Sequence, residues 1–116
     1  MGGNQFMDTA ALARRYFTAF ERKDMASLVE LFHPDVVLTD WENHLCGRDA
    51  VLAHNQKVFQ SLQDIRVNLL HLHEAGATVI GEMEIILNGG AIQLKVVDVI
   101  TFDERGAILS IRAYQG

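Results

Sequence analysis

The 116-residue chain is 49% hydrophobic and 22% charged, which suits a single globular domain with a substantial core and excludes a disordered or fibrous chain. Its net charge is −5 and its ten Lys and Arg residues are scattered, so it has no basic stripe of the kind nucleic acid requires. The one cysteine, Cys46, excludes an intrachain disulfide and a cysteine-based zinc cluster, and no apolar run approaches the roughly 18 residues of a membrane span.

Residues 1–8, "MGGNQFMD", carry neither the basic nor the apolar stretch of a secretory signal. They are expected to be a flexible lead to one domain over 9–116, in a cytoplasmic protein. In "TAALARRYFTAFERKD", Leu12, Tyr16 and Phe20 recur every four residues, and Ala13, Phe17 and Ala19 widen the stripe. This predicts an amphipathic helix capped by Asp8 or Thr9. Asp24 can cap a short second helix, "MASLVELF", which must stop by His33 because Pro34 disfavours helical geometry before it. "DVVLTDW", residues 35–41, reads as a strand. After Gly47, "RDAVLAHNQKVFQSL" reads as a third helix with Val51, Leu52, Val58, Phe59 and Leu62 as its apolar positions.

The second half is a meander of four strands, "IRVNLLHLH", "TVIGEMEIIL", "AIQLKVVDVITF" and "AILSIRAY", with turns at "EAGA", "NGG" and "DERG". The fold class is therefore α+β, a curved antiparallel sheet with three helices packed on one side. His71 and His73 fall on one face of a strand; two ligands make no metal site, and a solvated strand end near the sheet edge is the reading adopted.

Strand parity places one residue awkwardly. Val96, Asp98, Ile100 and Phe102 share a face, and either two-residue turn in "NGG" sets Asp98 beside Val79, Gly81 and Met83. Lys95 then falls opposite Glu82 or Glu84 on the outer face. A four-residue loop at 103–106 puts Leu109, Ile111 and Ala113 on the inner face of the last strand. A lone carboxyl among apolar neighbours has its pKa raised, unless a loop or an arginine pairs with it. The opposite face mixes Ile80, Ile86, Val97 and Val99 with Glu82 and Lys95, which predicts a homodimer through the sheet. Taken alone, Tyr16 reads as a core tyrosine and Asp40 as a turn-forming residue at a strand end.

Together these residues carry a resemblance. "RRYFTAFERKDMASLVELFHPDVVLTD", "GRDAV" and "VVDVITFDERGAILSIRA" resemble the ketosteroid isomerase branch of the nuclear transport factor 2-like superfamily, which also includes the SnoaL-type cyclases. The likeness runs from about Thr9 to the C-terminus and implies a cone-shaped α+β barrel. It places the isomerase's first-helix tyrosine on Tyr16, its general base on Asp40, eight residues after Phe32, and its protonated oxyanion-hole aspartate on Asp98. The implied catalytic set is Tyr16, Asp40 and Asp98, and the implied substrate-binding set is Phe20, Trp41, His54, Phe59, Met83, Ile100 and Ile111. No cofactor or metal is implied. The expected ligand is an apolar small molecule with a carbonyl or phenol.

The sequence departs from the isomerase pattern at Trp41, where the isomerase has proline, and in a shorter loop over 41–46. His54 and Asn55 stand where the isomerase has aromatic residues, which implies a smaller and more polar pocket. Three functions stay open: an isomerase-like enzyme, a lyase, cyclase or dehydratase using Asp40 with His54, and a non-catalytic small-molecule-binding dimer.

Overall fold

A computed structural model describes residues 7–116. The expected flexible lead lies, over residues 1–6, outside the described residues; Asp8 is described, and its Oδ1 accepts from the Ala11 N–H at 3.0 Å, setting the start of α1 (Thr9–Glu21). Asp24 likewise caps α2 (Met25–Leu31), accepting from the Ser27 N–H and hydroxyl at 3.1 and 2.7 Å. The strands are β1 (Phe32–Thr39), β2 (His44–Cys46), β3 (Ile65–Ala75), β4 (Thr78–Leu87), β5 (Ile92–Phe102) and β6 (Ile108–Gln115), with α3 (Arg48–Ser61) between β2 and β3.

The strands form one mixed six-stranded sheet in the order β2-β1-β6-β5-β4-β3. β1 runs parallel to β6, and every other neighbouring pair is antiparallel. α1 covers β3 and β4, α3 covers β1 and β2, and α2 links the two helices. The core lies between helices and sheet, on the face that carries Val36, Val79, Val96, Ile100, Ile108 and Ile111. Among the described residues no helix is long and apolar enough to cross a membrane.

Several local expectations shift, each for a geometric reason. β1 begins at Phe32, three residues before the expected strand, and tolerates Pro34 because its pairing with β6 is interrupted between Phe32 and Val37. β2 is a strand where a loop was expected: the turn after Thr39 folds the chain back, so that Val37, Leu38 and Thr39 pair with Cys46, Leu45 and His44. "NGG" becomes a 3-10 turn over Asn88–Gly90 that pairs Leu87 with Ile92. This register still sets Asp98 opposite Gly81 and Lys95 opposite Glu84. Leu109 does not join the inner face. The Asp103 carboxylate gathers the Arg105 and Ala107 N–H groups, both at 2.8 Å, and the lengthened loop with its bulge puts Ile108 inward instead.

Gly81 sets how closely α1 approaches the sheet. A Cβ there would stand 3.1 Å from Phe17 Cζ and 3.3 Å from Met83 Cε. Gly81→Ala is expected to push the Phe17 ring off the sheet and cost about 1–3 kcal/mol, read as a lowered urea midpoint. An unchanged midpoint would show that the Phe17 contact does not limit the packing.

Candidate active site

Each polar group of the site is delivered by a different element. Tyr16 stands in the buried stripe of α1, its ring held between Phe17, Phe20 and Phe32 with centroids 5.6, 6.4 and 6.1 Å away. Asp98 lies on β5 between Val96 and Ile100, opposite Gly81 on one side and Ala113 on the other. Asp40 follows the last residue of β1. Its Oδ1 accepts from the Glu42 N–H at 2.8 Å, the Asn43 N–H at 2.7 Å and the Asn43 side-chain amide at 3.1 Å. Among the described residues Oδ2 has only the Asn43 amide, at 3.3 Å, which leaves it spare accepting capacity. The turn-forming role read for Asp40 thus coexists with a place on the cavity wall.

Tyr16, Asp40 and Asp98 all line one cavity of about 200 Å³, whose remaining surface is mainly apolar. Phe20, Trp41, His54, Met83 and Ile111 line it too, with Trp41 45% exposed at its rim. Phe59 and Ile100 do not. Phe59 is turned into the core, where its ring meets Phe20 edge-on at 5.3 Å, and Ile100 is fully buried between its strand partners Val79 and Ile111. The wall also includes Asn55 and Val58 of α3, Ile85 of β4 and Leu94 of β5. The strand residues share the inward parity of Met83 and Asp98. Asn55 was legible from Val51-Asn55-Phe59, whose four-residue spacing makes it the middle of the buried stripe of α3.

The electrostatics follow from burial. Asp98 is only 8% exposed, and among the described residues neither a Lys nor an Arg pairs with it and no protein group hydrogen-bonds it. Loss of hydration, reinforced by the negative charge of Asp40, pushes its pKa up to about 7. Burial, and then negative charge at Asp98, push the Tyr16 hydroxyl above its ordinary value, so it stays a donor. His71 and His73 stack on the exposed face of edge strand β3, away from the cavity, with His73 Nε2 3.6 Å from Glu82. Among the described residues no group of three or more His, Cys, Asp or Glu side chains is placed to hold a metal ion.

Comparison with known proteins bears on this arrangement. The family model of the SnoaL-like domain matches residues 13–111. A protein from Shewanella denitrificans OS-217, provisionally named a SnoaL-like polyketide cyclase, superposes with a TM-score of 0.85 at 18% identity, over 93% of this chain and 90% of that one. A protein from Kribbella flavida DSM 17836, provisionally named a ketosteroid isomerase, gives 0.80 at 21% identity, over 93% and 77%. An LEH-like epoxide hydrolase from M. tuberculosis gives 0.82 at 19% identity, over 93% and 82%. No curated protein sequence matches the chain. Identities this low speak for the shared architecture, whose relatives carry different chemistries. With the family match spanning most of the domain, and a six-stranded curved sheet under three helices, the chain belongs to the SnoaL-like family of nuclear transport factor 2-like folds.

Proposed function

We propose that the protein is an isomerase-like enzyme that takes a proton from the carbon α to the carbonyl of a small apolar unsaturated ketone and returns it to another carbon of the resulting dienolate. The observation that carries this reading is that the Tyr16 hydroxyl and the Asp98 carboxyl stand on the wall of one mainly apolar cavity, with no hydrogen bond to a protein group among the described residues. A ligand oxygen can accept from both. The Asp40 carboxylate removes a proton from the carbon α to the carbonyl; the C–H electron pair forms a C=C bond as the carbonyl π pair moves onto the oxygen, giving an enolate. Tyr16 and protonated Asp98 donate to that oxygen as its charge grows. Asp40 then returns the same proton to another carbon of the dienolate, so the step balances without a cofactor.

His54 supports a second reading. It is half-buried on the same wall and can act with Asp40 in a lyase, cyclase or dehydratase. A phenol series titrated against the protein, followed by the phenol absorbance, tests the oxyanion site directly. Binding is expected to tighten with phenol acidity. With an enolisable ketone as substrate, Asp40→Asn is expected to lower turnover at least about 100-fold while phenol binding survives. Turnover lost mainly in His54→Ala would favour the second reading, and no phenol binding at all would leave a non-catalytic module.

Asp98 also makes a pH prediction. Folded, it holds its proton to about pH 7, whereas unfolded it releases it near pH 4. Between those values the native state binds more protons, so its contribution to stability falls as pH rises through the window and is level above it. Asp98→Asn is expected to remove that slope and to gain on the order of a few kcal/mol relative to the parent protein at pH 8. Urea melts of both proteins from pH 4 to 8 measure it; a difference that does not change with pH would mean Asp98 is not a buried acid.

The outer face of the sheet is proposed to pair two copies of the chain. Ile80, Val97 and Val99 are half-exposed there beside exposed Tyr114, and Glu82 and Glu84 lie near Lys95 and Arg112, so the patch can meet itself across a two-fold axis. Val97→Lys is expected to shift the protein from dimer to monomer in light scattering; a monomeric parent protein would overturn the pairing.

A further inference from the structure

Asn55 takes no part in the proton transfer, yet it has the chemistry of a ligand contact. It lies midway along α3 at 2% exposure, with buried Val51 and Phe59 one turn away on either side. A position in the middle of a buried stripe ordinarily takes an apolar side chain. The Asn55 side chain is part of the cavity wall, and its Nδ2 has no acceptor within hydrogen-bond reach among the described residues. Nδ2 therefore donates to neither the Tyr16 oxygen nor the Asp98 carboxyl. Leucine has the same branched outline, though bulkier, and would bury no unpaired donor. Packing alone therefore gives no reason for an amide here.

We infer that Asn55 recognises a second, neutral oxygen of the substrate, and that the substrate is a compact compound carrying a hydroxyl or second carbonyl besides its enolisable ketone. The inference rests on the oxyanion reading of Tyr16 and Asp98 for the first oxygen. Tyr16 reaches the cavity from α1, over β3 and β4, while Asn55 reaches it from α3, over β1 and β2. Donors brought by two separate elements can address different atoms of one ligand, and a turn of the Asn55 amide about its last side-chain bond would present its N–H, now almost closed off, to the cavity. The second group is neutral because the cavity wall carries no Lys or Arg and already holds the Asp40 carboxylate, which repels an anion. The ligand is compact because about 200 Å³ lies below the ~300–1,000 Å³ usual for drug-sized ligands. One ring or a short chain fits that space better than a fused polycycle.

Two pairs of phenols test this. 3-(Hydroxymethyl)phenol and 3-ethylphenol, and their 4-substituted isomers, are close in shape and acidity, and only the first of each pair offers a second oxygen. Their affinities are measured by calorimetric titration against the parent protein, Asn55→Leu and Asn55→Ser. The preference for hydroxymethyl over ethyl is expected to drop about tenfold in Asn55→Leu, through a lost hydrogen bond on one probe and a gained apolar contact on the other. Asn55→Ser, which keeps a short polar group, is expected to fall between. If both phenol types bind and the preference stays within about twofold in both variants, this inference fails and the oxyanion site stands. If no phenol binds the parent protein, the oxyanion reading fails and takes this one with it. A large drop in melting temperature in both variants would show the amide to be structural, and would also overturn the assignment.

Discussion

An acid surrounded by valine, methionine and glycine, with no cation to pair with, keeps its proton to about pH 7, and the chemistry available to this cavity follows from that. Asp98 is thereby a donor as well as an acid. Asp40 sits in the opposite environment, at a turn whose N–H groups point at its carboxylate. Of the two aspartates in the cavity, Asp98 is pushed away from ordinary carboxylate behaviour, first by desolvation. The charge on Asp40 reinforces the protonation of Asp98, because two adjacent anions in an apolar space are costly. Tyr16, deeply buried beside them, is held as a neutral phenol.

The inner face of the sheet is divided along its length. Towards the turn between β5 and β6 it is packed solid, with Val79, Ile100, Phe102 and Ile108 in the core. Towards the turn between β4 and β5 the same face opens into the cavity, past Met83, Ile85, Leu94 and Val96. The packed end supplies burial, while the open end carries polar groups without protein partners. Asp98 falls between the two, next to fully buried Ile100 on one side and cavity-lining Val96 on the other. Gly81, directly opposite, lets Phe17 approach closely, and this seats Tyr16 one residue away on the same helix. The aromatic contacts of Tyr16 then fix the hydroxyl by packing, so it needs no protein hydrogen bond to hold its direction.

The similar structures share this scaffold at identities that speak for the fold alone. The lining combines an acidic pair, a tyrosine, a histidine and an amide in a small apolar space. Among the described residues that lining carries no Lys or Arg.

Much of the architecture was readable in the amino-acid order because it depends on local regularities. Four-residue spacing marked α1, Asp24 marked the start of α2, and two-residue alternation gave the inward direction of Asp98 whichever way the "NGG" turn closed. Family likeness singled out Tyr16, Asp40 and Asp98, and these line one cavity together with Phe20, Trp41, His54, Met83 and Ile111. Parity could say that Ile100 and Phe59 point inward, but not whether they meet a packed core or an opening, since that depends on which distant side chains fill the same space. The strand at His44–Cys46 and the exchange of Leu109 for Ile108 were likewise hidden, because a returning turn and a loop gathered by Asp103 set the register. Sequence by itself determined which side chains turn away from water wherever strand alternation or helical spacing runs unbroken. The tertiary structure decided which of them surround an empty volume, because a cavity is the space that several remote elements together leave unfilled.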